Sequence, residues 1–227
     1  MLKLIRLCAV AVAAAIAFGS VSAYGASDAS NLVDRARITI DDLKKDKEFG
    51  NATDLMHHAK AVMIVPELIK GGFFVGGEGG SGVLLTKAAG DDWSYPAFYT
   101  LASASFGLQI GLEQSELILF VMSDKALHAF MKDEFKVGAE AGLAIVTLGS
   151  SAEVAATSGG QPADIVVWAS SSGAYAGVTL NGSVVKPRTS WNDSYYGHTV
   201  SVKDIVTRRT ASNVGADGLR SALATVR

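Results

Sequence analysis

The sequence predicts an α+β fold: a mainly antiparallel, curved or barrel-like, glycine-rich sheet with helices at both ends of the chain. Three observations carry this. Helical periodicity is strongest near the two ends, and many short apolar or alternating segments lie between them without regular alternation of strand and long helix, which argues against α/β. A pair of glycines spaced four apart also recurs, as Gly76/Gly80, Gly107/Gly111, Gly138/Gly142 and Gly173/Gly177, the first members being 31, 31 and 35 residues apart. Each pair lies in a stretch that reads as strand, where residues i and i+4 share a face. The pairs are thus expected as structural glycines, a stripe without side chains where another element can approach or the sheet can bend. The plainer alternative is that glycine is simply abundant, at 24 of 227 residues.

The first 23 residues read as a secretory leader. Lys3 and Arg6 form a basic start, Leu7 to Phe18 is an apolar run too short to span a bilayer comfortably, and Val21-Ser22-Ala23 has the small-x-small form of a cleavage site. Cleavage after Ala23 is expected, with Ala26 as the alternative, leaving residues 24–227 as a single domain. Cys8, the only cysteine, leaves with the leader and stands too early for lipidation, so disulfides and cysteine-based metal sites are excluded. Loss of Lys3 and Arg6 leaves 18 basic against 22 acidic residues, a net charge of −4 that offers no general field for nucleic acid.

Along the mature chain, Ser30 to Phe49 reads as an amphipathic helix with Leu32, Val33, Ala36, Ile40 and Leu43 at helical spacing and alternating charges on its other faces. Gly50-Asn51 is expected to break it, and Thr53 to cap a second helix through Lys60. Ala61 to Val65 reads as a short strand ending at Pro66, followed by the glycine-rich Gly71 to Gly82 and the strand Val83 to Lys87. Gly90-Asp91-Asp92 is a turn signal, Trp93 to Leu101 and Ser105 to Glu113 read as strands, and Leu117 to Met122 as a buried strand. Ser123-Asp124 starts a helix to about Asp133. Val137 to Val146 reads as strand, Gly149 to Pro162 as loop, Ile165 to Ala169 as strand, and Tyr175 to Val185 as a hairpin turned by Asn181-Gly182. Trp191 to Gly197 looks irregular and aromatic. Ser201 to Arg208 reads as a helix with Asp204 in capping-box position, and Val214 to Val226 as a last amphipathic helix.

Catalytic motifs are missing. Gly77-Glu78-Gly79-Gly80-Ser81-Gly82 has the glycine spacing of a dinucleotide fingerprint but leads into a strand, so no helix N-terminus is offered to a pyrophosphate. His57 and His58 are adjacent and point apart on a helix, which disfavours a metal site. Glu113 and Glu116 are near in sequence, but paired carboxylates alone support no chemistry. No enzyme, no cofactor and no metal is expected.

The runs Ala59-Lys60-Ala61-Val62, Gly71-Gly72-Phe73, Gly80-Ser81-Gly82-Val83-Leu84 and Trp93-Ser94-Tyr95-Pro96-Ala97, then Gly107 to Gly111 with Glu113, resemble the SYLF domain family. Gly173-Ala174-Tyr175-Ala176-Gly177-Val178, Gly182-Ser183 and Tyr195-Tyr196-Gly197 are similar to its closing motif; the likeness covers about residues 30–210. Eukaryotic members are joined to Src-homology-3 or FYVE domains, bind phosphoinositides and in some cases actin; bacterial members pair a leader with a lone domain. The resemblance therefore implies a lipid-binding module of the bacterial envelope, periplasmic or extracellular and peripheral on a phospholipid membrane, with actin an unlikely partner after export. It also implies basic residues where Glu78 stands, near Ser151, and near Ser171 or Ser172, where this chain carries none.

The expected lipid contacts are an apolar grip from the amino-terminal helix, through Leu32, Ile40 and Leu43, and a polar grip from Lys44, Lys45, Lys47, Lys60 and Lys70. The other reading is a structural or interaction protein of the periplasm or outer membrane without lipid specificity, its protein partner unknown. A membrane barrel fits the helical carboxy terminus poorly.

Overall fold

The computed structural model describes residues 25–46, 49–72, 75–88, 92–106, 111–137, 145–147, 157–158, 161–170, 180 and 182–226. The leader, Lys47, Gly107, Gly138, Gly142, Gly173, Gly177, Ser151, Ser171, Ser172 and Asn181 lie outside them.

The fold is α+β, a curled, mainly antiparallel sheet with helices at both ends. Helix α1 covers residues 25–43 and α2 Phe49–His58. Four long strands follow, β1 (Ala61–Gly72), β2 (Val75–Thr86), β3 (Ala97–Phe106) and β4 (Gly111–Val121). Helix α3 (Asp124–Phe130) leads to the short strands β5 (Phe135–Lys136), β6 (Ile145–Thr147), β7 (Thr157–Ser158) and β8 (Gln161–Pro162). After β9 (Ile165–Ser170) and β10 (Val184–Pro187) come α4 (Thr189–Tyr196), α5 (Val202–Val206) and α6 (Asp217–Ala224). The main sheet has eight strands in the order β5-β10-β3-β2-β1-β4-β9-β6, and only β6 with β9 is parallel.

Why this sheet forms is plain at its apolar end. Ala61–Val65 and Leu117–Val121 are paired and buried at every position, as continuous apolar runs covered on both faces must be. Adjacent residues of a strand point to opposite faces, so Phe98 and Tyr99 show which helix covers which side. Phe98 meets the rings of Trp191 and Tyr195 on α4, whereas Tyr99 meets Phe130 of α3 and donates its hydroxyl to the Phe130 carbonyl at 2.7 Å. Helix α1 lies on the α4 side, tied to the sheet by Arg35 to Glu67 of β1 and by Thr39 donating to Glu116 of β4.

Four local readings are corrected. Pro66 does not end β1; the strand continues to Gly72 across a bulge. Against β2, Val65 and Pro66 together face Gly82; against β4, Pro66 and Glu67 together face Glu116. A bulge on both sides is what a central strand needs to absorb a residue without an N–H. Trp191 to Gly197 is helical up to Tyr196 and closed by Gly197 in the left-handed region (φ 75°). Its poor helix formers are held by tertiary bonds: the Phe98 N–H donates to Asn192, and the Tyr196 hydroxyl to the Pro96 carbonyl. Gly50-Asn51 sits inside α2 rather than ahead of it, and β7–β8 form a small hairpin in the expected loop. The capping box of α5 is formed by Ser201 and Asp204 as expected.

Register also shows where described glycines fall. Ser105, Gly76, Gly72 and Gly111 are successive partners across β3, β2, β1 and β4, so members of two of the glycine pairs share one row with Gly72. At Gly80 an added Cβ would collide with the Glu67 carbonyl oxygen and lie 2.8 Å from Cγ1 of Val65; at Gly82 it would lie 2.8 Å from the Ile64 carbonyl oxygen. These two glycines make room for the β1 bulge.

Candidate functional site

Where the bulge lifts β1, an open cleft of about 580 Å³ lies between α1, the sheet and α4. One flank of α1 forms its wall through Asp28, Asn31, Leu32 and Arg35, which recur at helical spacing. The floor is apolar, with Ile69 (47% exposed) and Ala102 beside the backbone of Gly79, Gly80 and Leu101, whose own side chain is buried on the opposite face. Trp191 closes the far side. Two guanidinium groups stand at the rim. Arg35 pairs with Glu67 at 2.5 Å. Arg188 donates to the Ser81 hydroxyl at 2.7 Å and stacks 3.5 Å from the Trp191 ring centroid. Burial lowers the Arg188 pKa, against the pull of Asp28.

Farther along the same flank of α1 a second hollow opens, of about 460 Å³, between Arg35, Ile38 and Pro66 on one side and Gln114, Glu116 and Ser170 on the other. It is lined also by Ser115, whose buried hydroxyl has no hydrogen-bond partner among the described residues. Glu116 accepts from Thr39 at 2.7 Å.

The residues expected to grip lipid do not assemble into one site. Leu32, Ile40 and Leu43 are buried, with Val33 and Ala36, as the packing face of α1 on the core. A stripe already covered by protein is not a free inserting face, and that expectation is corrected; of the three, only Leu32 lines the cleft. Lys44 pairs with Asp41 at 3.4 Å and Lys45 with Asp42 at 2.7 Å, which raises the Lys45 pKa. Lys60 pairs with Asp124 at 3.0 Å. Lys60 and Lys70 stand at opposite ends of β1, some ten residues and so about 30 Å apart, too far to share a headgroup. Lys70 is the cross-strand partner of Glu78 and Glu113. Glu78 is buried, and burial raises its pKa although Lys70 and a hydrogen bond from Ser103 oppose this.

The cleft residues escaped sequence reasoning because they come from five separate elements, α1, β1, β2, β3 and α4. The available signals were local: Arg35 one turn after Leu32, and Arg188 three residues before Trp191. Among the described residues there is no group of three or more His, Cys, Asp or Glu side chains able to hold a metal, and no helix long and apolar enough to cross a membrane.

Comparison with known proteins agrees with a binding fold. Residues 102–226 match the Ysc84 family, described as Las17-binding protein actin regulator. The human SH3 domain-containing YSC84-like protein 1 is 32% identical over 164 residues, covering 71% of this chain and 47% of the relative. LAS seventeen-binding protein 3 of Saccharomyces cerevisiae is 28% identical over 190 residues, covering 81% of this chain and 41% of the relative. Protein YSC84 of the same yeast is 29% identical over 167 residues, covering 73% and 36%. The chain spans less than half the length of each of these relatives. No solved structure matches it. A family match over more than half of the chain, together with the human relative, places it: the chain belongs to the Ysc84 family of SYLF-domain proteins.

Proposed function

We propose that this chain is a non-catalytic module, exported through the leader of residues 1–23, that binds phospholipid peripherally at the membranes of a bacterial envelope. The observation that carries this reading is the cleft beside α1: an apolar floor of Ile69 and Ala102, with the Arg35 guanidinium in its lining and that of Arg188 beside it on Ser81 and Trp191. Such a hollow suits an amphiphile, with acyl carbons over the floor and a phosphate at the rim. The grip differs from a basic membrane patch. Lys44, Lys45 and Lys60 are paired with acids, and the mature chain is net acidic. Export would separate the chain from actin and from the Las17 partner for which its relatives are named, which leaves lipid as the partner in this reading.

The test is flotation of the mature protein with vesicles of phosphatidylethanolamine and phosphatidylglycerol, beside native mass spectrometry. Co-flotation and a one-to-one lipid adduct are expected, on a polypeptide whose intact mass begins at Tyr24. Arg188→Ala is expected to weaken both signals while leaving the melt nearly unchanged. A folded protein that neither floats nor carries lipid would leave the interaction-protein reading in its place.

A further inference from the structure

The cleft and the second hollow share one side chain, Arg35. Both lie along a single flank of α1, from Asp28 to Ile38, a stretch of about 15 Å at the helical rise. Their chemistry differs. The first is floored by the aliphatic side chains of Ile69 and Ala102, whereas the second offers the amide of Gln114, the hydroxyl of Ser170 and the Glu116 carboxylate. Resting on the lipid reading above, we propose that the two hollows are one groove for a single zwitterionic phospholipid. Its acyl part lies over β2 and β3, its phosphate sits at Arg35, and its ammonium-bearing headgroup lies between Glu67 and Glu116.

Four observations carry this. First, Arg35 and Glu67 are 47% and 31% exposed, and a pair so wetted is held weakly, so Arg35 can leave Glu67 for a phosphate at small cost. A guanidinium is the side chain best shaped for that ligand, which it meets with two parallel hydrogen bonds. Second, Glu67 lines the first hollow and Glu116 the second, and the β1 bulge sets Glu67 opposite Glu116, so once Arg35 turns to the phosphate a carboxylate stands on each side of it. A groove whose lining carries Arg35 against Asp28, Glu67 and Glu116 complements a headgroup with one phosphate and one ammonium, and it repels a purely anionic one. Third, Gln114 and Ser170 line this hollow on the face of β4 and β9 that carries Glu116, and their amide and hydroxyl can hydrogen-bond the oxygens of a headgroup. Fourth, Thr39 holds Glu116 from below at 2.7 Å, fixing the carboxylate that would receive the ammonium.

The experiment measures binding of short-chain monomeric phosphatidylethanolamine, phosphatidylglycerol, a fatty acid of the same chain, and free phosphoethanolamine to the mature protein, by calorimetry, with a thermal melt for each variant. The wild type is expected to favour phosphatidylethanolamine over phosphatidylglycerol about ten-fold, the effect of one charge-assisted contact. Glu116→Gln should abolish that preference. Glu67→Gln should tighten phosphatidylglycerol several-fold, because Arg35 then has no resting partner. Arg35→Ala should lower both phospholipids to the affinity of the fatty acid. Phosphoethanolamine alone should bind far more weakly than the lipid. Equal affinity for the two phospholipids, or a preference that survives Glu116→Gln in a folded protein, overturns the single-groove assignment while leaving lipid binding intact. Phosphoethanolamine binding as tightly as the lipid overturns it too, since the apolar half would then play no part. Binding of none of the probes overturns both readings.

Discussion

Gly80→Ala adds one carbon at the most crowded glycine position described. The new Cβ would overlap the Glu67 carbonyl oxygen and come within 2.8 Å of Cγ1 of Val65. Val65 can adjust its rotamer, but the carbonyl belongs to the bulge that lets Pro66 sit in a central strand, and it cannot move without breaking register on two sides. Overpacking a well-filled interior costs about 1–3 kcal/mol, and a backbone obstacle lies at the upper end, so a loss of about 2–4 kcal/mol is expected. Gly77→Ala and Gly79→Ala on the same strand are the controls. Their added carbons would lie 3.5 Å from the Ser103 oxygen and 3.7 Å from the Leu101 oxygen, ordinary contact distances, so both should stay within about 0.5 kcal/mol of wild type. The assay is the urea midpoint at unchanged m-value. Adding Val65→Ala to Gly80→Ala should recover little, because the carbonyl remains. A Gly80→Ala midpoint indistinguishable from the two controls would refute the claim that glycine at this place serves the bulge.

Ile40→Asp should unfold the protein rather than release it from lipid, since Ile40 is fully buried and an unpaired charge there costs about 4 kcal/mol or more; a cooperative melt near the wild-type temperature would contradict this placement. Asp204 has its pKa lowered from 3.8 to about 2 by hydrogen bonds from Ser201 and Arg208. Its contribution is therefore present above pH about 4 and lost as pH falls toward 2, and Asp204→Asn should flatten acid melts in that window; because the group is exposed, salt should shrink the effect. Glu78 is shifted the other way, raised by burial, so the folded state holds its proton more tightly and its contribution falls as pH rises past 4.5. Glu78→Gln is thus expected to leave stability at pH 7 unchanged or slightly increased, and a clear loss would show that its pairing with Lys70 outweighs burial.

Ala61–Val65 and Leu117–Val121 were legible because burial on both faces leaves an unbroken apolar run, and α1 because burial on one side leaves a stripe at 3.6-residue spacing. The Ser201–Asp204 capping box was legible because it is closed within four residues. Pro66 misled because its lost N–H is compensated by neighbours in β2 and β4, which lie elsewhere in the sequence. Helix α4 was hidden because Thr189, Ser190, Asn192 and Asp193 are weak helix formers, and what holds them is Pro96 and Phe98, some ninety residues earlier. The site failed for a related reason. A lysine's presence can be read, but whether an acid already holds it cannot, and Lys60 meets Asp124 only once β1 and α3 are in place. Arg35, Glu67 and Arg188 are joined by the bulge and the helix crossing alone.

The strand order carries a consequence for how the chain folds. Strands β3, β2, β1 and β4 are contiguous in the sheet and are the first four made, so they can pair soon after synthesis. The outer edge of β3 must then wait for β10, which arrives about eighty residues later, and β5 has no neighbour in the sheet until β10 is placed. Closing such long loops precedes any reward from the pairing, which slows folding. Until then β3 shows an unpaired edge to other chains, the feature through which growing sheets aggregate. A chain cut before Val184 would keep that edge open permanently and should collect as aggregate, whereas the full chain closes it with a strand of four residues.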